Sequence, residues 1–283
     1  MGKIVYAAKI THIPRMILSE QPGPLHGCRD DAVEGLREVG RRILDAGAET
    51  LIVLDTHWLS NAGYHVNCAS RFDGVYSSSE FPTQLKDLEY HAPGDPELGH
   101  AIAAAASAAG VPTFAHENKA MWLEYGTLVP LHFMNTGDRL KVVSMSGWLA
   151  WASIDESRKV GAALRAAIEA SDRKVAVLAS GSLSHRIHDN AVVLDHPYEI
   201  SDEFNRQCDL RALDLWTQGR WKEFAGMLPT YARACSGEGW MHDTAMLMGA
   251  LGWDAYQGCA EVIVPYFIAS GTGQVIAQFP IAA

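Results

Sequence analysis

Three of the twelve histidines in this chain stand just past runs of apolar and β-branched residues. His12 follows IVYAAKI (4–10), His57 follows TLIVLDT (50–56) and His185 lies shortly after KVAVLAS (174–180). Imidazole is both a common metal ligand and a proton carrier, so three rings at equivalent strand ends point to one shared site. Two imidazoles and one carboxylate on one face of a metal, with the opposite face open, is the arrangement that holds Fe(II) for oxygen chemistry. The leading carboxylate is Glu238 in CSGEGWMHD, where flanking glycines let the backbone come close to a metal. Asp55, Asp243 and His242 compete with it as ligands. Asp55 precedes His57 by two residues and is expected on the same side of its strand, either as a ligand or as the group that orients one.

These residues need elements that bring strand ends to one edge. Further strand-like runs are LKVVSMS (140–146), EVIVPYF (261–267) and QVIAQF (274–279), and several of the six are apolar at consecutive positions, as strands covered on both faces are. Helical patterns fall between them, in 30–47, 96–110, 156–171, 201–218 and 241–252. Such alternation predicts an α/β fold with a mixed, largely parallel central sheet and helices on both faces. Ligands in such sheets collect beyond the carboxyl ends of the strands. The segment 186–240 has no strand pattern and reads as a helical and loop insertion within a single domain spanning 1–283.

Composition narrows the function classes. The 283 residues are 48% hydrophobic with a net charge of −10, which argues against general affinity for nucleic acid or anionic membrane. Five cysteines without a CxxC pair suggest neither a zinc knuckle nor a disulfide framework, and no apolar run approaches a membrane span. MGKIVYAAKI lacks the features of a secretory leader, so a cytoplasmic location is expected. The GSLSH stretch has no glycine two after either serine, which removes the nucleophile elbow of a serine hydrolase, and Ser182 and Ser184 read as turn formers. There is no Walker loop, no GxGxxG after a strand and no HExxH.

Taken together, ITHIP (10–14), DTHW (55–58), LEYGTLVPL (123–131), LASGSLSHR (178–186) and GEGWMHD (237–243) resemble the class III extradiol ring-cleaving dioxygenases, the superfamily of the protocatechuate 4,5-dioxygenase catalytic subunit. The resemblance runs nearly end to end, through SGTGQVIAQFP. It implies Fe(II), with Mn(II) or Mg(II) as alternatives, held by His12, His57 and Glu238, and His185 as the acid–base residue. It further implies a small aromatic substrate and O₂ as partners, the expected substrate being 3,4-dihydroxyphenylacetate.

At 124–126 many relatives have Asp-His-Gly, whereas this chain has Glu124-Tyr125-Gly126, so a second catalytic histidine is replaced by a phenol that can hydrogen-bond but is not a base near neutral pH. Tyr125 is shared with aminophenol-cleaving relatives, which makes 2-aminophenol or another substituted catechol the alternative substrate. Arg15, Lys119, Arg186 and His116 are candidates to meet a substrate carboxylate, and Trp58 and Trp122 could wall an aromatic pocket. A non-enzymatic binding protein of the same fold and a zinc hydrolase are the competing classes. A homo-oligomer, dimer or tetramer, is expected by default.

Overall fold

In a computed structural model, residues 1–281 are described apart from 135, 190 and 194. The chain runs β1 (Lys3–Ile10), α1 (Arg15–Glu20), α2 (Asp30–Asp45), β2 (Thr50–Ser60), β3 (Tyr64–Asn67), β4 (Arg71–Tyr76) and β5 (Leu88–Pro93). It continues with α3 (Pro96–Ala108), β6 (Thr113–His116), α4 (Tyr125–Met134), β7 (Lys141–Leu149), α5 (Ile154–Ala170) and β8 (Lys174–Ser180). The last elements are α6 (Glu203–Thr217), α7 (Trp221–Ala234), α8 (His242–Leu251), β9 (Glu261–Ala269) and β10 (Thr272–Gln278).

The main sheet has eight strands in the order β6-β3-β7-β2-β8-β1-β10-β9, and a separate ribbon pairs β4 with β5. The centre, β7-β2-β8-β1, is parallel. Antiparallel pairs β3·β7, β1·β10 and β10·β9 join the flanks to it. A mixed, largely parallel sheet is thus the architecture, as the strand and helix alternation predicts.

Strand periodicity explains the layering. Successive side chains point to opposite faces. Ile52, Leu54, Val175, Val177 and Ala179 enter one core with residues of α3, α5, α6, α7 and α8. Leu51, Val53, Ala176 and Leu178 enter the other with α1, α2 and α4. Local signals fix the helix starts: Ser153 and Glu156 form a reciprocal capping box on α5, and Asp95 caps α3 ahead of Pro96. Segment 186–240 contributes α6 and α7 and no strand among its described residues.

Two readings of the sequence need correction. β2 does not end at 56 but runs to Ser60, with an irregularity between Asp55 and Leu59. The short strands β3 to β6 and helix α4 were not visible as patterns. Four to six residues with mixed polarity give too little periodicity, and α4 is apolar nearly all round, so it has no amphipathic stripe.

Candidate metal centre

Because β2, β8 and β1 are adjacent and parallel, their carboxyl ends lie side by side. That register brings the His12 and His57 rings to a centroid separation of 4.9 Å, edge to face. Glu238 arrives from the segment after α7. Ser184 pairs with Gly237 in an isolated bridge, and the Glu238 N–H donates to the Leu183 carbonyl at 3.0 Å. Immediately after it Gly239, Trp240 and Met241 all take left-handed φ values of 55°, 56° and 60°. Such a run is strained for the two residues with a Cβ. Gly239 is required for a second reason, because a Cβ there would sit 2.9 Å from the Gly147 carbonyl oxygen.

One ligand atom from each of His12, His57 and Glu238 lies within 4.8 Å of the others. The Glu238 Oε1 is 3.2 Å from His12 Nε2 and 3.6 Å from His57 Nε2, while His185 Nε2 is 3.9 Å from Oε2. Glu238 and the His12 ring are oriented by hydrogen bonds with neighbours. Thr56 Oγ1 donates to Glu238 Oε1, and the Ser182 N–H donates to Oε2. His12 Nδ1 is 2.9 Å from Ser180 Oγ. Asp55 accepts the His57 backbone N–H at 2.8 Å and the Thr127 hydroxyl at 2.6 Å.

The electrostatics favour positive charge among these donors. Burial alone would raise the Glu238 carboxyl, but the imidazoles of His12, His185 and His57 hold it well below its ordinary value. Burial opposes a charge on His12, yet the Glu238 carboxylate overrides it and raises the imidazole. His57 is driven the other way, well down, by burial and then by His12, so it presents a neutral ring. Two imidazole nitrogens and an ionised carboxylate oxygen fit a divalent first-row metal.

The competing ligands are committed elsewhere. Asp243 pairs with the fully buried Lys9 at 2.5 Å, and His242 Nδ1 bonds Ser157 Oγ at 2.7 Å. Asp55, enclosed beneath the backbone of His57, does not belong to the cluster.

Tyr125 stacks on His57 at 3.6 Å between centroids, and its hydroxyl lies 3.5 Å from Glu80. Burial, then Glu80 and Glu238, push the Tyr125 phenol far up, which keeps it a neutral hydrogen-bonding group. Among the carboxylate-binding candidates, Arg186 pairs with Asp202 at 3.3 Å and His116 Nε2 bonds His65 Nδ1 at 2.6 Å. Arg15 opens α1 and makes no ion pair among the described residues. Lys119 lines a cavity of about 620 Å³ with Arg71, Tyr76, Tyr90, Trp122 and Glu124. Tyr76 connects that cavity to Tyr125, with ring centroids 6.5 Å apart. Trp122 is exposed and bonds Glu124, and Trp58 packs near His65 and His116.

Sequence reasoning missed Ser180, Thr56 and Asp209. Asp209 is a fully buried carboxylate on α6 that accepts from the Ser184 N–H at 3.1 Å and the Ser184 hydroxyl at 2.7 Å. It also accepts from the hydroxyls of Tyr231 at 2.5 Å and Tyr266 at 2.8 Å. Ser184 is therefore more than a turn former. The available signal was an acid on the helix face shared by Ala212, Leu213 and Trp216.

Proteins of known activity share most of this chain. Residues 6–280 match the family described as the catalytic LigB subunit of aromatic ring-opening dioxygenase. The chain is 50% identical over 267 residues to the 3,4-dihydroxyphenylacetate 2,3-dioxygenase of Escherichia coli, covering 94% of this chain and 97% of that protein. It is 27% identical over 263 residues to a 2-aminophenol 1,6-dioxygenase beta subunit from a Pseudomonas species, 85% of each chain. An uncharacterized Escherichia coli K12 protein of known structure shares the fold, with a TM-score of 0.64, 18% identity, and coverage of 96% of this chain and 98% of that one. With the family match spanning almost its whole length, the chain belongs to the LigB family and is an extradiol aromatic ring-opening dioxygenase.

Proposed function

We propose that this protein, acting as a single catalytic domain, cleaves 3,4-dihydroxyphenylacetate between C2 and C3 and adds both atoms of one O₂ to give 5-carboxymethyl-2-hydroxymuconate semialdehyde. The observation that carries the reading is the convergence of His12, His57 and Glu238 with His185 on the same carboxylate. The half-identical relative with that activity supports the substrate. Fe(II) is the proposed metal, since the reaction needs a centre that exchanges electrons with O₂, and Mn(II) is the alternative. When bound, it supplies Lewis acidity and a path for electrons between catechol and O₂.

The side chains have distinct tasks. His12, His57 and Glu238 would hold the metal. His185 takes a proton from a catechol hydroxyl and returns one when the ring opens. The Tyr125 hydroxyl donates a hydrogen bond to bound substrate, and the wall it forms with His57 restricts how a planar ring enters. With Arg186 and His116 engaged by other side chains, Arg15 and Lys119 are the cations proposed to meet the substrate carboxylate. A cytoplasmic location and assembly into dimers or tetramers complete the proposal; no helix among the described residues is long and apolar enough to cross a membrane.

Protein purified without oxygen and supplied with Fe(II) is expected to consume one O₂ per 3,4-dihydroxyphenylacetate and form a yellow product. A metal-loaded protein inert towards every catechol and aminophenol would sink the reading. Replacing Arg15 or Lys119 by Met is expected to raise KM for 3,4-dihydroxyphenylacetate about tenfold, the loss of one charge-assisted contact of about 1.4 kcal/mol. KM for the uncharged 4-methylcatechol is expected to stay unchanged, and an equal rise for both substrates would rule out the charge pairing.

A further inference from the structure

A proline inside a helix leaves a mark on the metal centre. α4 carries Pro130, whose ring nitrogen has no hydrogen to donate. In a regular α-helix the N–H of residue 130 would bond the carbonyl of residue 126. The Gly126 carbonyl is thus released from its helical partner, and the fully buried Ser180 hydroxyl occupies it at 2.5 Å. A hydroxyl has one hydrogen and two lone pairs. With its hydrogen committed to Gly126, Ser180 Oγ can only accept from His12 Nδ1, 2.9 Å away. His12 Nδ1 must then carry the ring hydrogen, and the Nε2 lone pair faces Glu238 Oε1.

We infer that Ser180 is a positioning residue that fixes the tautomer and ring orientation of His12, and that Pro130 makes this possible by freeing the Gly126 carbonyl. The inference rests on the reading of His12 as a metal ligand. The order of causes is local: the proline removes a donor, the carbonyl takes the serine hydrogen, and the serine dictates which histidine nitrogen stays bare. Gly126 is suited to the middle of this chain because a Cβ there would lie 2.1 Å from Asp55 Oδ1, so the helix end can approach this close only without a side chain. Ser180 acts through His12 and is not one of the three residues whose ligand atoms converge.

Two readouts test this, and neither is turnover. In metal-free protein at alkaline pH, long-range ¹H–¹⁵N spectra of histidine-labelled samples report which ring nitrogen of His12 is protonated. Competition with a chelator under anaerobic conditions gives the Fe(II) dissociation constant. Wild type is expected to show His12 as a single Nδ1–H tautomer. Ser180→Ala is expected to gain the Nε2–H form and to bind Fe(II) about 10–100-fold more weakly, the usual cost of losing the partner of a ligating imidazole.

Pro130→Ala, which offers Gly126 a backbone donor again and leaves Ser180 in place, is expected to move both readouts part of the way. It keeps the idea testable if Ser180→Ala does not fold. An unchanged tautomer and a dissociation constant within about twofold of wild type in Ser180→Ala would overturn the role of Ser180. Pro130→Ala moving neither readout would remove the proline from the chain of causes. Wild-type protein that binds no Fe(II) would instead sink the reading of His12 as a ligand, a distinguishable failure.

Discussion

At the scale of single residues, the proposed roles divide between groups that hold charge and one that moves it. Glu238 is the only carboxylate in the cluster and is held ionised by three imidazoles, so Glu238→Ala should abolish stoichiometric metal binding, as measured on protein reconstituted with Fe(II). Retention of a full metal complement would transfer the role to another acid. His185 stands 3.9 Å from Glu238 but outside the group of three whose atoms converge most closely. His185→Ala should therefore keep its metal and lose about 10²–10⁴-fold in turnover, the usual contribution of a positioned acid–base group. Undiminished turnover in that variant would show that the proton goes elsewhere.

At the scale of elements, the helices of 186–240 matter because they hold the loop of His185. Ser184 has its N–H and hydroxyl bound to Asp209 and its carbonyl bound by the Gly273 N–H at 3.0 Å, while the next residue, His185, donates its N–H to Ser236 at 2.9 Å. Asp209 has no cation partner among the described residues, and burial raises its carboxyl although the surrounding hydroxyls partly offset this. Asp209→Asn puts an amide N–H₂ against groups that are themselves donors. It is expected to cost about 1–3 kcal/mol in urea unfolding and to lower kcat more than tenfold, with metal content kept, because misplacing the proposed proton carrier His185 is costly. Turnover per folded molecule equal to wild type would confine Asp209 to a stabilising role.

The whole molecule rests on two large cores separated by the sheet and a smaller one at the β4–β5 ribbon, and a chain of polar groups is built into one of the large cores. His242 at the start of α8 is buried in a chain from its Nδ1 through Ser157 to the Tyr64 hydroxyl, each link 2.7 Å. Burial pushes its imidazole from 6.5 down to about 4. Between these values the unfolded chain takes up a proton that the folded chain refuses. Stability from this group is complete above the unfolded value and falls as pH drops towards the folded one, by up to about 3 kcal/mol. Urea midpoints at neutral and mildly acid pH should diverge in wild type and diverge less in His242→Gln. An equal acid loss in both would assign it to other groups.

Much of this protein was legible in the sequence. The strand runs, their apolar continuity and the helical periods between them reflect local periodicity, and that suffices for a largely parallel sheet with helices on both faces. His12, His57 and His185 were legible for the same reason, since a parallel sheet puts strand ends on one edge. Other features depended on contacts between residues far apart in the chain. Glu238 could not be separated from Asp55, Asp243 and His242 by spacing. The fold pairs Asp243 with Lys9, His242 with Ser157, and Asp55 with Thr127 and the His57 backbone, and brings Glu238 beside His12 and His57. Ser180 carried no pattern, and Asp209 only its place on the apolar face of its helix, because a polar residue buried by tertiary packing otherwise looks in sequence like one facing water. The sequence by itself determined the edge on which the histidines gather and, through its family motifs, singled out Glu238; only the tertiary structure decided how that carboxylate reaches them, because hydrogen bonds across 50 to 240 residues of chain have no local signature.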